Sequence, residues 1–236
     1  MYKYTFDNLI IYRSVYEFID SNMYVILEQD RAIIIDPHQD DEVEKLLEQN
    51  NIKAVDVLLT HEHPDHISGL PWLAKKFDTK IICHENCAKI IADKKSTRPI
   101  LITFVLEEKD RLDGTNLLEK FNESYSPFSI KATQTFNEIF EYKSGEHCFK
   151  FFPIPGHSKA SCCIILDDEF AFSGDSLMLD NPTITRFPGG NTKDFKNITI
   201  PYFKSLNTEM TIFPGHGEIF KLKDKMEKGQ LNVAIR

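Results

Sequence analysis

Short apolar runs alternate along this chain with segments whose apolar residues recur at helical spacing. Tyr24–Glu28 and Arg31–Asp36 are two such runs, and the Gln29-Asp30 turn between them predicts a hairpin. The segment Asp40–Gln49 has acidic residues in its first turn and apolar residues three and four positions apart. This pattern predicts a helix directly after the hairpin.

The alternation continues in both halves of the chain. In the first half it predicts a strand at Ala54–Thr60, a helix at Gly69–Phe77, a strand at Lys80–Cys83 and a helix at Glu85–Asp93. In the second half it predicts strands at Cys148–Ile154, Cys162–Leu166, Glu169–Ser173 and Glu209–Phe213. A helix from Thr192 to Leu206 must break or kink at Pro201. We therefore predict an α/β architecture of two stacked sheets with helices outside.

Residues 93–138 depart from this rhythm. They contain an apolar run, Ile100–Leu106, a charged stretch, Glu107–Asp113, and a helical pattern at Asn116–Phe121. We interpret them as an insertion that forms a lid or a dimer element, with a peripheral pair of structural helices as the alternative. Since 236 residues suit one core, we predict a single domain over residues 1–236.

Composition narrows the functional classes. The formal net charge of −8 argues against a broad phosphate-binding surface, so we expect a small-molecule substrate rather than nucleic acid. No apolar stretch approaches membrane-spanning length, and the amino end lacks a signal core, so we expect no membrane partner. Five cysteines without disulfide-framework spacing predict a cytoplasmic setting. The sequence leaves open whether the protein forms a homodimer.

The strongest chemical signal is the run His61-Glu62-His63-Pro64-Asp65-His66. It holds three of the eight histidines and lies between a predicted strand and a predicted helix. Proteins of the α/β class bind ligands at the carboxyl ends of their strands. We therefore interpret the run as part of a metal site.

Three more metal-capable side chains follow predicted strands: His157, Asp175 and His216. Imidazole and carboxylate ligands suit zinc, iron or manganese, and the lack of cysteine among them disfavours a closed structural zinc site. The candidate ligands number seven, which is too many for one tetrahedral ion and suits two ions if Asp175 bridges them. The seven are His61, His63, Asp65, His66, His157, Asp175 and His216.

The order His61-x-His63-x-Asp65-His66, Pro-Gly-His157, Gly-Asp175 and Pro-Gly-His216 resembles the metallo-β-lactamase-fold hydrolases, and among them the glyoxalase II-like branch. The resemblance spans Tyr24 to Glu218 and implies an αββα sandwich. It implies one ion held by His61, His63 and His157, and a second held by Asp65, His66 and His216. Asp175 would bridge the ions, and Asp36 would orient the histidine run from outside the ligand set. A helix or turn cap is the alternative role for Asp36.

Two divalent ions, zinc before iron or manganese, would share a water and lower its pKa, which makes hydroxide available at neutral pH. Asp65 would orient that hydroxide or accept its proton. We therefore expect a hydrolase of small esters, thioesters or lactones. An iron-dependent oxidoreductase that resembles persulfide dioxygenases, and a phosphodiesterase, are the alternatives. Only twenty residues follow His216, so we expect no glutathione-binding helical domain.

Three other features are interpreted more plainly. His38 is expected to be a surface histidine, with a substrate contact as the alternative. Cys83 and Cys87 are expected to be buried structural thiols, because a free cysteine behaves as a small apolar residue. The loop Thr185–Gly190 keeps Arg186 but lacks the family's aspartate partner, which favours a structural role for that arginine.

Overall fold

The first sheet is formed by the amino-terminal strands. In the computed structural model, which describes residues 1–7 and 9–227, seven strands follow one another in chain order across this sheet. They are β1 (Tyr2–Phe6), β2 (Leu9–Val15), β3 (Asn22–Leu27), β4 (Arg31–Ile35), β5 (Ala54–Leu58), β6 (Asp78–His84) and β7 (Gln134–Phe136). The predicted β3–β4 hairpin is confirmed, since these strands pair antiparallel.

Parallel pairing in this sheet brings two loops to one edge. β4, β5 and β6 run parallel, and Ile35 lies opposite Leu58. The residue after β4, Asp36, donates its backbone N–H to the Leu58 oxygen at 3.2 Å. Asp36 has a φ of 53°, a left-handed conformation that aspartate tolerates better than most residues. The carboxyl ends of β4 and β5 therefore carry Asp36 and the start of the histidine run.

Nine α-helices connect or flank the strands of the described chain. They are α1 (Asp41–Gln49), α2 (Pro64–Ile67), α3 (Leu70–Lys76), α4 (Glu85–Ile91), α5 (Ile100–Asp113), α6 (Leu117–Ser124), α7 (Thr192–Asp194), α8 (Ile200–Ser205) and α9 (Leu222–Glu227). The predicted helix at Asp40–Gln49 is confirmed as α1, with Asp40 as its N-cap. The Asp40 side chain accepts from the backbone N–H groups of Glu42 and Val43, which fixes the helix start.

Residues 93–138 contain the helix pair α5 and α6. This pair packs against the loop that joins β2 to β3, and the apolar cluster between them consists of Tyr16, Phe18, Ile102, Leu106, Phe121 and Tyr125. The Tyr125 hydroxyl donates to the Thr97 carbonyl oxygen at 2.6 Å. The role of residues 93–138 as a lid or a dimer element stays a prediction, as does the alternative of a peripheral helix pair.

Phe121 is the residue on which the docking of this helix pair should depend most. It is fully buried, and its ring contacts both Phe18 and Tyr125. We expect Phe121→Ala to lower the free energy of unfolding by about 3–4 kcal/mol, because it leaves a cavity among these rings. Urea unfolding followed by Trp72 fluorescence would measure the change. Phe104→Ala, on the exposed side of α5, should stay within about 0.5 kcal/mol.

The second sheet is formed by the later strands. It has six strands in the order β13-β12-β11-β10-β9-β8. They are β8 (Phe140–Ser144), β9 (His147–Pro153), β10 (Cys162–Leu166), β11 (Phe170–Gly174), β12 (Thr211–Pro214) and β13 (Phe220–Lys221). The strands predicted at Cys162–Leu166 and Glu169–Ser173 are confirmed as β10 and β11, which pair antiparallel. β11 and β12 run parallel, with Gly174 opposite Pro214, so Asp175 and His216 follow strands that end side by side.

The predicted helix after Thr192 is confirmed, and it contains one π-helical turn. α7 leads into a π-helical segment, Phe195–Thr199, which continues directly into α8. Pro201 lies in the first turn of α8. A proline lacks the N–H that an α-helix needs and clashes with the carbonyl four residues earlier, and the π turn at that point relieves the conflict.

The described residues divide into two compact units. The first contains Met1–Leu59, His63–Ile82 and Ala88–Gln134. The second contains Thr60–Glu62, Cys83–Cys87 and the described residues from Thr135 onward. Among the described helices, none is long and apolar enough to cross a membrane.

Candidate metal centre

The second unit gathers three histidines around one carboxylate. The Oδ2 atom of Asp175 lies 3.5 Å from Nε2 of His157, 3.5 Å from Nε2 of His216 and 4.0 Å from Nε2 of His61. His61 and His157 are almost completely buried, and their rings meet edge to face at 4.9 Å. Four of the seven predicted ligands are thus brought together within this unit.

Close backbone packing positions these side chains. The Gly215 N–H donates to the Gly174 carbonyl at 2.8 Å, which ties the loop that carries His216 to the loop that carries Asp175. Gly174 has a φ of 50° and lies against Thr60, the residue before His61. The sequence therefore needs glycine at 174 for two reasons, its backbone conformation and the close approach of Thr60.

Gly174→Ala should disturb this centre without touching a ligand. A Cβ at 174 would meet the Thr60 Oγ1 atom at 2.5 Å, in addition to the strain of a positive φ. We expect a loss of about 3 kcal/mol in the free energy of unfolding, measured by urea denaturation, and a lower metal content. Gly114→Ala is the matched control, since Gly114 has a φ of 68° and open space, and it should cost only about 1 kcal/mol.

Hydrogen bonds fix the orientation of two of these rings. His157 Nδ1 lies 2.8 Å from the Ile184 carbonyl oxygen, so this nitrogen carries the proton and donates. In the neutral ring, Nε2 then presents a lone pair to the Asp175 carboxylate. His61 Nδ1 is held at 3.0 Å by the Thr60 hydroxyl. A lone pair that faces a carboxylate at 3.5 Å calls for a positive charge between them, which is the arrangement of a metal-binding histidine.

The first unit contains a second group of the same kind. His66 is fully buried, with Nδ1 3.1 Å from Oδ2 of Asp36 and Nε2 3.1 Å from Oδ2 of Asp65. An imidazole between two carboxylates donates to one and turns its lone pair toward the other, unless it is protonated. Asp36 thus contacts a predicted ligand, as the resemblance implies. His63 is the N-cap residue of α2, and its carbonyl accepts from the His66 N–H at 2.9 Å.

Glu62 and Ser158 form a contact that the sequence does not signal. The Ser158 hydroxyl donates to Glu62 Oε2 at 2.8 Å. Burial raises the pKa of Glu62, and the Ser158 hydrogen bond opposes this shift. The bond joins Glu62, which lies between His61 and His63 in the sequence, to Ser158, the residue that follows His157. Sequence reasoning missed this pair because 96 residues separate its members.

The predictions for the two cysteines, His38 and Arg186 have different outcomes. Cys83 and Cys87 are fully buried free thiols, which confirms the prediction. The prediction of a surface position for His38 is wrong, because only 1% of this residue is exposed. The turn after Asp36-Pro37 folds inward, because Gly69 has no side chain and packs directly against the His38 backbone. The Arg186 side chain is exposed, while the neighbouring Ile184 supplies the carbonyl that orients His157.

Comparison with known proteins gives the family. The metallo-beta-lactamase superfamily model matches residues 16–216, so the chain belongs to this superfamily and has its fold. It is 23% identical over 201 residues to the probable metallo-hydrolase YqgX of Bacillus subtilis, covering 84% of this chain and 86% of that protein.

Two further similarities are informative. The chain is 25% identical over 161 residues to a hydroxyacylglutathione hydrolase of Pelagibacter ubique, covering 67% of this chain and 52% of that protein. This relative supports the glyoxalase II-like branch. The crystal structure of the BLEG-1 B3 metallo-beta-lactamase superimposes with a TM-score of 0.70 at 22% identity, covering 92% of this chain and 96% of that one.

Proposed function

We propose that this protein is a binuclear metal-dependent hydrolase of small esters, thioesters or lactones. His61, His63 and His157 would hold one divalent ion and Asp65, His66 and His216 the other, with Asp175 as the bridging ligand. Zinc is the proposed metal, because imidazole and carboxylate ligands without a thiolate suit it, while iron and manganese accept the same ligands.

The observation that carries this proposal is the orientation of His157. Its Nδ1 proton is committed to the Ile184 carbonyl, so its Nε2 lone pair and the Asp175 carboxylate need a cation between them. The ligand atoms of His61, His157 and Asp175 lie within 4.8 Å of one another, as binding to a common ion requires. Along the chain, a single residue separates His61 from His63.

Bound ions of this kind polarise a carbonyl oxygen and lower the pKa of a coordinated water. The chain's own residues then have separate tasks. Asp36 holds His66 by its Nδ1 atom and so fixes the direction of Nε2. A carboxylate oxygen of Asp65 would orient the attacking water and accept its proton. Ile184 keeps His157 in the tautomer that leaves Nε2 available.

The choice of substrate class and compartment rests on charge and thiol chemistry. A net charge of −8 disfavours nucleic acid, and five free cysteines are compatible with the reducing cytoplasm. We therefore propose a cytoplasmic enzyme that acts on small molecules. The relatives named as a probable metallo-hydrolase and a hydroxyacylglutathione hydrolase support hydrolysis.

The test is an activity panel on metal-quantified protein. Thioesters, lactones, carboxylic esters and phosphodiesters should be assayed at equal concentration, before and after chelation. We expect hydrolysis in one of the first three classes that chelation abolishes and zinc restores. Oxygen consumption with a persulfide, or a clear preference for phosphodiesters, would replace this function with one of the two alternatives.

A further inference from the structure

Glu62 is a carboxylate inside the histidine run that the proposed ligand set does not use. Among the described residues, the groups of metal-capable side chains whose ligand atoms lie within 4.8 Å of one another do not include it. Its Oε2 atom instead accepts the Ser158 hydroxyl at 2.8 Å. The same carboxylate also accepts the backbone N–H of Glu62 itself. The side chain therefore ties its own backbone, which directly follows His61, to Ser158.

Ser158 is fully buried, and its hydroxyl makes every hydrogen bond that it can make. It donates to Glu62, and it accepts from the Ala160 backbone N–H at 3.0 Å and from the Ser161 hydroxyl at 3.2 Å. The Ser158 backbone N–H in turn donates to the Ser161 side-chain oxygen at 3.0 Å. The turn that follows His157 thus holds the Ser158 hydroxyl in one direction, toward Glu62.

The hydrogen bond between Glu62 and Ser158 joins the segments that carry two proposed ligands of one ion. Glu62 follows His61, and Ser158 follows His157. The two imidazole rings meet edge to face, with their centroids 4.9 Å apart. Each ring is also oriented by a contact at its own Nδ1 atom. Neither of those contacts joins one ring's segment to the other's, which the bond between Glu62 and Ser158 does.

The separation of the ligands decides how tightly an ion binds. Zinc takes nitrogen ligands at about 2.0–2.1 Å, and a metal site must hold its ligands to within roughly 0.5 Å of the required positions. Ligands that are already in place spare the cost of ordering them when the ion binds. Residues that hold ligands from outside the ligand set contribute about ten- to a hundredfold to metal affinity.

We propose that Glu62 and Ser158 are positioning residues that hold His61 and His157 at the separation a shared divalent ion requires. The inference rests on the proposed function, since it takes these two histidines as ligands of one ion. It assigns no chemical step to Glu62 or Ser158. Loss of their hydrogen bond should weaken binding of the ion while every ligand is still present.

Zinc affinity tests the proposal, measured on metal-free protein by competition with a chromophoric chelator. We expect Ser158→Ala and Glu62→Ala each to weaken at least one zinc-binding event by about tenfold or more. Glu62→Gln keeps an oxygen that accepts the Ser158 hydroxyl, so it should bind zinc at least about threefold more tightly than Glu62→Ala. Ser144→Ala is the matched control and should stay within about twofold. Ser144 is a buried serine beside His147, at the opposite end of β9 from the His157 turn.

The double variant Glu62→Ala/Ser158→Ala distinguishes one shared hydrogen bond from two independent effects. If the bond accounts for both losses, the double variant should bind zinc within about threefold of the weaker single variant. Urea unfolding of the metal-free proteins would show that they fold. The backbone N–H of Cys162 still donates to the Thr60 oxygen at 2.9 Å, which helps to hold the two segments in the variants. If Ser158→Ala does not fold, the comparison of Glu62→Gln with Glu62→Ala decides.

Three results would overturn the positioning role and leave the proposed hydrolase intact. The first is a folded Ser158→Ala protein whose zinc-binding events all stay within about twofold of the wild type. The second is equal weakening by Glu62→Gln and Glu62→Ala, which would assign the effect to charge. The third is a double variant whose loss equals the product of the two single losses. A wild-type protein that binds no zinc would overturn both this inference and the proposed function.

Discussion

Asp175→Asn is expected to lower hydrolysis by about a thousandfold and to reduce the bound metal to less than half of its wild-type content. The substitution preserves the shape of the side chain and removes its charge. Three imidazole Nε2 atoms lie within 4.0 Å of this one carboxylate oxygen. Its negative charge should therefore stabilise any cation that these imidazoles bind. Loss of a proposed bridging ligand should weaken the binding of both ions.

Elemental analysis and activity of the same preparation would measure this effect. Asp168→Asn is the matched control, because Asp168 is an exposed carboxylate in the turn between β10 and β11. It should bind metal and react like the wild type. An Asp175→Asn enzyme with full metal content and unchanged activity would contradict the bridging role.

Asp65→Asn is expected to lower kcat by about a hundredfold to ten-thousandfold, the range for loss of a residue that handles a proton. At least one ion should remain, because His61, His63 and His157 are intact. Asp65→Asn should therefore keep more of its bound metal than Asp175→Asn does, while its rate still falls strongly.

The control for Asp65 is Asp78→Asn, an exposed aspartate at the start of β6. Steady-state kinetics on the substrate class found in the panel, with metal content measured in parallel, would make the comparison. Unchanged kcat in Asp65→Asn would remove this residue from the mechanism.

The main elements of the fold could be predicted from local pattern. The apolar runs of β4, β5, β10 and β11 are buried on both faces and flanked by turn residues, so their identity shows in sequence. β1 was missed because most of its residues are exposed, and it lies at the edge of the sheet beside β2. β2 was missed too, although most of its residues are buried. The helix α5 was missed as an element, since its apolar and charged stretches look like different segments.

The candidate site shows the same division between local and distant information. The proposed metal ligands, such as His157 and Asp175, follow strand ends and could be identified from residue type and position. The groups that orient these side chains could not be identified from sequence. The group that orients His157, for example, is the backbone carbonyl of Ile184, which has no sequence signature. The burial of His38 also depends on a distant residue, Gly69, whose lack of a side chain allows the two backbones to meet.

The most direct test of a binuclear metal hydrolase is metal content measured together with activity in protein purified from its native host. We expect two divalent ions per chain, and hydrolysis of a small ester, thioester or lactone that chelation abolishes and zinc restores. A single iron per chain with oxygen consumption, or hydrolysis that survives complete removal of metal, would contradict it.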